Sequence, residues 1–331
     1  REEANKTYLH TSFALSAVEG EVISLSKPDG SIVDKLNAGA LRGGITCGKD
    51  TSGRMYYYDL PTPGEPNGSG KIAYAPAPEF ELAAGFYYGR QTVGIKVPEG
   101  TTVYYTTDGT IPNESDSRYS GPFAIEKTTS VRAVAYRDGY LASVPATVSY
   151  LIDSPHSDAL SVVFVTMDPK DLYDENKGIY VLGPNPGSSP HYRTANFQKE
   201  WERECNVEIF DGKGNTQVNQ QLAIRMFGAY SRMRDQKGFA LMSRSQYGAN
   251  SINYPVFENR DTQSYSSLVL RAGGQDNTVT KIKDIVSTGL VDGTTSLEVQ
   301  AYRQAVLYIN GEYFGVYNIR EKVNKDFIAA H

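Results

Sequence analysis

The stretch VLYINGEYFGVYNIREK, at 306–322, constrains this chain more than any other. Val306, Tyr308 and Ile309 lead into Asn310-Gly311, a dipeptide suited to two-residue hairpin turns because both central positions need positive φ. Tyr313, Phe314, Val316, Tyr317 and Ile319 lead out again, rich in the aromatic and β-branched residues that suit strands. The spacing predicts two antiparallel strands ending in Arg320-Glu321-Lys322. A lone hairpin is marginal in water, so this one needs a sheet around it. Tyr308 and Val316 are expected in neighbouring strands of a sheet that also holds Ile224 and Leu270.

A chain of 331 residues exceeds one ordinary core, so two or three domains are expected. The 24 Tyr, 31 Gly and 16 Pro suit short strands and frequent turns, giving a mainly β class. The net charge of −5, without a basic patch, argues against a nucleic-acid partner. No apolar run approaches the length of a membrane span. Arg1 is not a natural start, so the segment is expected to come from a longer precursor. Cys47 and Cys205 lack metal or redox spacing, and the sequence leaves open whether they pair.

Residues 1–70 show short alternating runs. Lys27-Pro28-Asp29-Gly30 separates two of them as a turn, Pro presetting φ and Gly accepting positive φ. Phe13, Leu15, Gly20-Glu21, Asp29-Gly30 and the closing stretch Thr62-Pro63-Gly64-Glu65-Pro66-Asn67 resemble part of a lamin-tail-like domain. That resemblance implies a partial immunoglobulin-like sandwich, either truncated or completed by another chain. An edge left open in this way must be covered.

Residues 71–153 are read as a second β unit, its strands running from Phe80 after a linker over 68–80 with Gly-Ser-Gly and Pro76-Ala77-Pro78. Runs at 92–97, 102–107, 122–125, 130–136 and 147–151 alternate with turns at sandwich spacing. The run Tyr104 to Pro112, then Tyr119, Pro122, Val131 to Ala135 and Gly139-Tyr140, resembles the chitobiase/β-hexosaminidase C-terminal-type domain. It implies a fibronectin-III-like sandwich carried by secreted bacterial proteins. Tyr104, Tyr105 and Asp108 are candidates for a carbohydrate-binding edge. Asp108-Gly109 is also what the turn itself requires.

The third unit, 154–331, opens with a continuous apolar run from Leu160 to Thr166, read as a buried strand. A turn with a short helix is expected at 168–172, a short strand at 178–182, a hairpin turn at Asp211-Gly212-Lys213-Gly214 and a strand at 267–271. Ile282, Ile285, Val286 and Leu290 recur at helical spacing, which predicts a helix over 281–290. Trp201-Glu202-Arg203, Ile224 to Arg232, Gln236-Lys237, Leu270 to Gly274 and Asn310 to Gly315 with Glu321 together resemble the spore-coat protein H (CotH) kinase-like family.

That resemblance implies the α+β small lobe of an atypical kinase-like fold, with ATP and Mg²⁺ as cofactors and a protein substrate. Glu321 is expected near the hinge, and the catalytic residues beyond His331. Phosphoryl transfer is mostly positioning and charge neutralisation. Arg225, Arg232 and Lys237 are therefore candidate phosphate ligands, and Asp284 on the helix a candidate partner for Lys237. The bland alternative has these arginines bridging strands and Gln236-Lys237 as an exposed turn. The functional expectation is a secreted or cell-surface bacterial protein with a CotH-like kinase domain. The competing expectation is a non-enzymatic adhesion or assembly module that binds polysaccharide or a protein.

Overall fold

The computed structural model describes residues 20–154 and 158–330. The first part consists of two hairpins. β1 (Glu21–Ser26) pairs β2 (Ile32–Ala38), and β3 (Thr46–Lys49) pairs β4 (Met55–Tyr58). The turn at Pro28-Asp29-Gly30 forms where expected, with the Asp29 carboxylate accepting the Ser31 N–H at 2.8 Å. Val22, Leu25, Ile32 and Val33 are exposed on the first hairpin. Phe13 and Leu15, quoted for the lamin-tail resemblance, lie outside the described residues. Cys47 and Cys205 are both free thiols.

A sandwich follows. Its strands are β5 (Glu79–Phe80), β6 (Gly85–Tyr87), β7 (Gln91–Val93), β8 (Ile95–Lys96), β9 (Thr102–Thr106), β10 (Ser117–Arg118), β11 (Phe123–Ile125), β12 (Thr129–Tyr136) and β13 (Ala146–Ile152). The larger sheet runs β10-β9-β12-β13-β6. Strand β12 alternates. Val131, Ala133 and Ala135 point into the sandwich core with Val93, Ile95 and Val103, while Ser130, Arg132, Val134 and Tyr136 point outward.

The third part is a closed barrel. Its strands are β14 (Ser161–Thr166), β15 (Arg203–Phe210), β16 (Thr216–Phe227), β17 (Gly238–Met242), β20 (Ser267–Arg271), β21 (Tyr302–Ile309) and β22 (Glu312–Glu321). A side ladder joins β18 (Ile252–Asn253) to β19 (Ser264–Tyr265). The barrel order is β14-β15-β16-β17-β20-β22-β21, with the last strand returning to the first. Ile224 and Leu270 line its interior with Val163, Val165, Leu307 and Ile319. Tyr308 sits opposite Tyr313 and Val306 opposite Val316, so the expected hairpin and its sheet companions are observed. The closure is new information. Strands β14 and β21 pair in parallel, Phe164 beside Tyr308, across a long stretch of chain.

Helices are few: α1 (Pro169–Tyr173), α2 (Lys283–Gly289) and α3 (Lys325–Ala330). The chain is thus mainly β and multidomain, as the sequence predicts. No helix of the described residues is long and apolar enough to cross a membrane. The strand expected at 178–182 is instead irregular backbone. It turns off α1 through Ile179 N–H to Asp171 O and Tyr180 N–H to Leu172 O, 2.8 and 2.9 Å. The third and fourth carbonyls of the five-residue α1 capture a segment whose composition alone reads as strand.

Strand β14 is buried on both faces, which explains its unbroken apolar run. Val163 and Val165 point into the barrel. Val162 and Phe164 point out, where they meet Leu151 and Phe86 of the sandwich, with Phe210, Val306 and Tyr308. Phe164 stacks on Tyr308, ring centroids 5.9 Å apart. The tips of two turns complete this joint. Asn310, at φ +50, accepts the Met167 N–H and donates to the Met167 carbonyl, both at 2.9 Å. Gly109 of the sandwich turn rests on that pair. A Cβ there would lie 2.4 Å from the Met167 carbonyl oxygen and 2.5 Å from the Asn310 Oδ1.

One carboxylate is trapped in the joint. Glu208, on the outer face of β15, accepts the Ser149 N–H of β13 at 3.2 Å. Its other oxygen has no hydrogen-bond partner. Burial pushes its carboxyl up to about 7 from 4.5. The folded state therefore favours the neutral acid. Ionisation carries no penalty below the unfolded value, and the full penalty, roughly 3 kcal/mol, applies above the folded one. Glu208→Gln is expected to raise Tm relative to the parent at pH 8, with the gap closing by about pH 5. Thermal unfolding at the two pH values checks it. Gly109→Ala is expected to lower stability by about 2 kcal/mol or more through strain at positive φ and the clash with Met167 and Asn310, measured by urea unfolding.

Candidate functional site

Strand β16 ends at Phe227, and its alternation decides what the predicted cations can reach. Ile224 and Met226 point into the barrel, so Arg225 points out. There it meets Glu200: Arg225 Nη1 lies 2.5 Å from Oε2, and Arg232 Nη2 lies 2.7 Å from Oε1. Arg232 also donates to the Gln198 carbonyl at 3.0 Å. The structure brings these two predicted cations together, around a carboxylate that fastens the loop at 198–200 to the barrel.

Lys237 goes elsewhere. Its side chain is buried, and Nζ donates to the Arg234 carbonyl at 2.6 Å. The ammonium sits over the rings of Phe197 and Tyr180, at 4.6 and 5.1 Å. Burial lowers its pKa, and the carboxylate that opposes this is Asp235. The expected pair with Asp284 is not formed. Asp284, in the first turn of α2, instead faces Arg320, whose guanidinium is buried, and Arg271, whose Nε is 3.4 Å away. Both arginines come from neighbouring strands β20 and β22, whose outer faces α2 covers. The kinase-like resemblance implies a lysine as partner of the helix acid, but Lys237 turns into its aromatic cage.

Glu321, at the end of β22, is also engaged. Its carboxylate accepts the Ala301 N–H at 2.8 Å and faces Arg260 Nε at 3.5 Å. It ties the segment before β21 to the strand after it.

A cleft of about 190 Å³ opens between two loops. Phe227, Gly228, Ala229 and Ser231 form one wall, and Arg271, Ala272 and Gly274 the other. Gly228 is needed at φ +116, where a Cβ would lie 2.3 Å from the Ser231 hydroxyl. Gln236 is fixed at the cleft by donating to the Phe314 and Val316 carbonyls at 3.2 and 3.1 Å, and by accepting from Lys281. Arg271 lines the cleft with its fork open. Among the described residues its terminal nitrogens make no hydrogen bond, and its Nε faces only Asp284. Sequence reasoning passed over Arg271 as a ligand. The signal was a cation at a strand exit followed, one residue on, by Gly273-Gly274.

The donor set suits an anion. A planar guanidinium with both terminal nitrogens available matches phosphate oxygens in a bidentate way. It does not suit Mg²⁺, which wants several oxygen ligands. The nearest acidic group, Asp284, is already shared by two arginines. Among the described residues, no group of three or more His, Cys, Asp and Glu could hold a metal ion.

The three sugar-binding candidates do not converge. Tyr104 and Tyr105 stand on opposite faces of β9. Tyr105 stacks on Phe123 at 4.4 Å and meets Tyr119 edge-on, inside the sandwich. Asp108 accepts the Thr110 N–H at 3.0 Å and its hydroxyl at 2.6 Å, so it serves its own turn. Tyr104 lies on the outer face, edge-on to Tyr136 at 5.6 Å.

Residues 82–148 match the family model described as the chitobiase/beta-hexosaminidase C-terminal domain. Residues 224–331 match the model described as CotH kinase protein. These stand in the order that the sequence resemblance predicts. None of the curated proteins matches this chain. The second match begins within β16, so β14 and β15, which close the barrel, precede the matched residues.

Asp284→Asn removes the countercharge of a buried arginine. It is expected to cost about 1–3 kcal/mol in urea unfolding, the lower end reflecting the partial exposure of Asp284.

Proposed function

We propose that this chain serves ATP-dependent phosphorylation of a protein by a CotH-type kinase, and that the cleft between Gly228 and Arg271 holds the nucleotide's phosphates. One observation carries the reading. Separate fragments of the family resemblance, at 224–232, 236–237 and 270–274, line a single cleft, and one of them supplies a guanidinium with free terminal nitrogens. The cleft is smaller than the roughly 300–1,000 Å³ that buries a whole drug-sized ligand, so it suits a phosphate tail with the base outside.

In this reading Arg225, Arg232 and Lys237 act on the loop rather than on the phosphate. Glu200 and the aromatic cage hold them, and through them the Gly228 loop keeps its shape. Asp284 orients Arg271 from behind. Glu321 braces the end of β22, where a hinge to further chain would start. Mg²⁺ would arrive with the nucleotide and be held by groups other than those at this cleft. The sandwich, of a type associated with secreted proteins, supports a secreted or cell-surface setting in a bacterium. The first hairpins fit a lamin-tail-like module.

Isothermal titration of the whole chain with ATP, with and without Mg²⁺, tests this. Binding is expected, weakened by about tenfold or more in Arg271→Ala, as loss of a charged hydrogen-bonding pair entails. Lys237→Ala is expected to lower Tm while leaving affinity near the parent value. Absence of ATP heat in the folded parent, or an affinity indifferent to Arg271→Ala, overturns the assignment.

A further inference from the structure

The outer face of the sandwich sheet is only partly covered by the barrel. Leu151 and Ser149 lie against it. At the other end of the same face, Tyr104 of β9 and Tyr136 of β12 both line an open cleft of about 470 Å³. The first part of the chain supplies the opposite wall. It docks on the sandwich by main-chain bonds, Ile72 N–H to Gly139 O and Leu141 N–H to Ala73 O, both at 2.9 Å. That docking brings Asp59 and Lys71 to the cleft. Tyr140 lines it too, with the Arg137 guanidinium stacked on its ring at 4.5 Å.

The Tyr136 hydroxyl donates to the Pro112 carbonyl at 3.1 Å, but the carboxylates here are unengaged. Among the described residues the carboxylates of Asp59, Glu114 and Asp138, all lining the cleft, make no side-chain hydrogen bond or ion pair. Structural carboxylates elsewhere in this chain are occupied: Asp108 and Asp211 cap turns, and Glu200 and Glu202 pair with arginines. A cleft with three tyrosines and open acceptors fits one ligand chemistry well. Tyrosine rings take up the C–H faces of a pyranose, and carboxylates accept from its neighbouring hydroxyls. The walls mix acids with Lys71 and Arg137, so no single charge is favoured.

We propose that this cleft binds an uncharged oligosaccharide, with Tyr104, Tyr136 and Tyr140 as the platform and Asp138 and Glu114 as hydroxyl acceptors. The site is composite, since Asp59 and Lys71 come from the segment before the sandwich. It is independent of the phosphate cleft on the barrel.

Affinity electrophoresis of the whole chain through gels containing hydroxyethyl cellulose, laminarin, galactomannan or glycol chitin tests this, with heparin and alginate as anionic polymers. Retardation by at least one neutral polymer is expected. Tyr140→Ala and Asp138→Asn are each expected to reduce it at least tenfold, while Tyr88→Ala, at an exposed tyrosine away from the cleft, leaves it unchanged. Asp138 is exposed, so its variant reports on binding even where Tyr140→Ala disturbs folding. Retardation by no neutral polymer, retardation by the anionic polymers alone, or variants that migrate as the parent each overturn the proposal.

Discussion

Asn310 holds this molecule together at the point where its parts meet. The residue sits at positive φ in a turn, and its side-chain amide is spent on both main-chain groups of Met167. That two-way bond locks the tip of the β21–β22 hairpin beyond the end of β14, where the barrel closes. The sandwich turn at Gly109 then packs on the same spot, and Arg132 donates to the Gly109 carbonyl at 3.0 Å from the sheet behind. One asparagine thus couples barrel closure to domain docking. The coupling needs a residue that tolerates positive φ and carries both a donor and an acceptor, which narrows the choice to asparagine.

The joint behind that contact is apolar at one end and polar at the other. Phe164, Tyr308, Leu151 and Phe86 exclude water and supply the cohesion. A few side-chain contacts then fix orientation: Glu208 to Ser149, and Asn219 Nδ2 to the Thr147 carbonyl at 2.9 Å. Glu208 is the costly member, because it is fully desolvated and only half satisfied. A buried carboxylic acid of this kind contributes more to the choice of one docking geometry than to net stability. It also makes the joint sensitive to pH in the direction that favours docking under mildly acidic conditions.

Local features were legible in the sequence, and long-range ones were not. The Asn310-Gly311 and Asp211–Gly214 turns, the helix at 283–289 and the two-faced burial of β14 all follow from a few neighbouring residues. Barrel closure does not. The parallel pairing of β14 with β21 joins Val163 to Leu307, and nothing within either strand names its partner. Side-chain partners were missed for a related reason. The sequence singles out Arg225 and Arg232 as phosphate ligands, whereas both meet Glu200, a shared carboxylate in a loop with no periodic signal. Lys237 and Asp284 were paired because a lysine and a helical acid fit a familiar pattern. Period-two alternation instead points Arg271 and Arg320 outward under α2, and those arginines take the carboxylate. Tyr104 and Tyr105 show the same limit from the other side. Adjacent tyrosines read as one aromatic edge, but a strand must send them to opposite faces.

What separates an available cation from a structural one here is the count of its remaining donors. Arg232 gives one terminal nitrogen to Glu200 and the other to a carbonyl. Arg320 spends all three of its nitrogens on Ala301, Gln300 and Asp284. In each, both terminal nitrogens are engaged, and recruiting it to a ligand would first break those bonds. Arg271 turns only Nε toward the carboxylate, at 3.4 Å and without a hydrogen bond, so its fork is not consumed. The same carboxylate, Asp284, therefore accepts from one arginine and only faces the other. That asymmetry arises from strand order. Arg320 lies beneath α2 and is enclosed by it, whereas Arg271 is the last residue of β20 and reaches past the helix to the edge of the cleft.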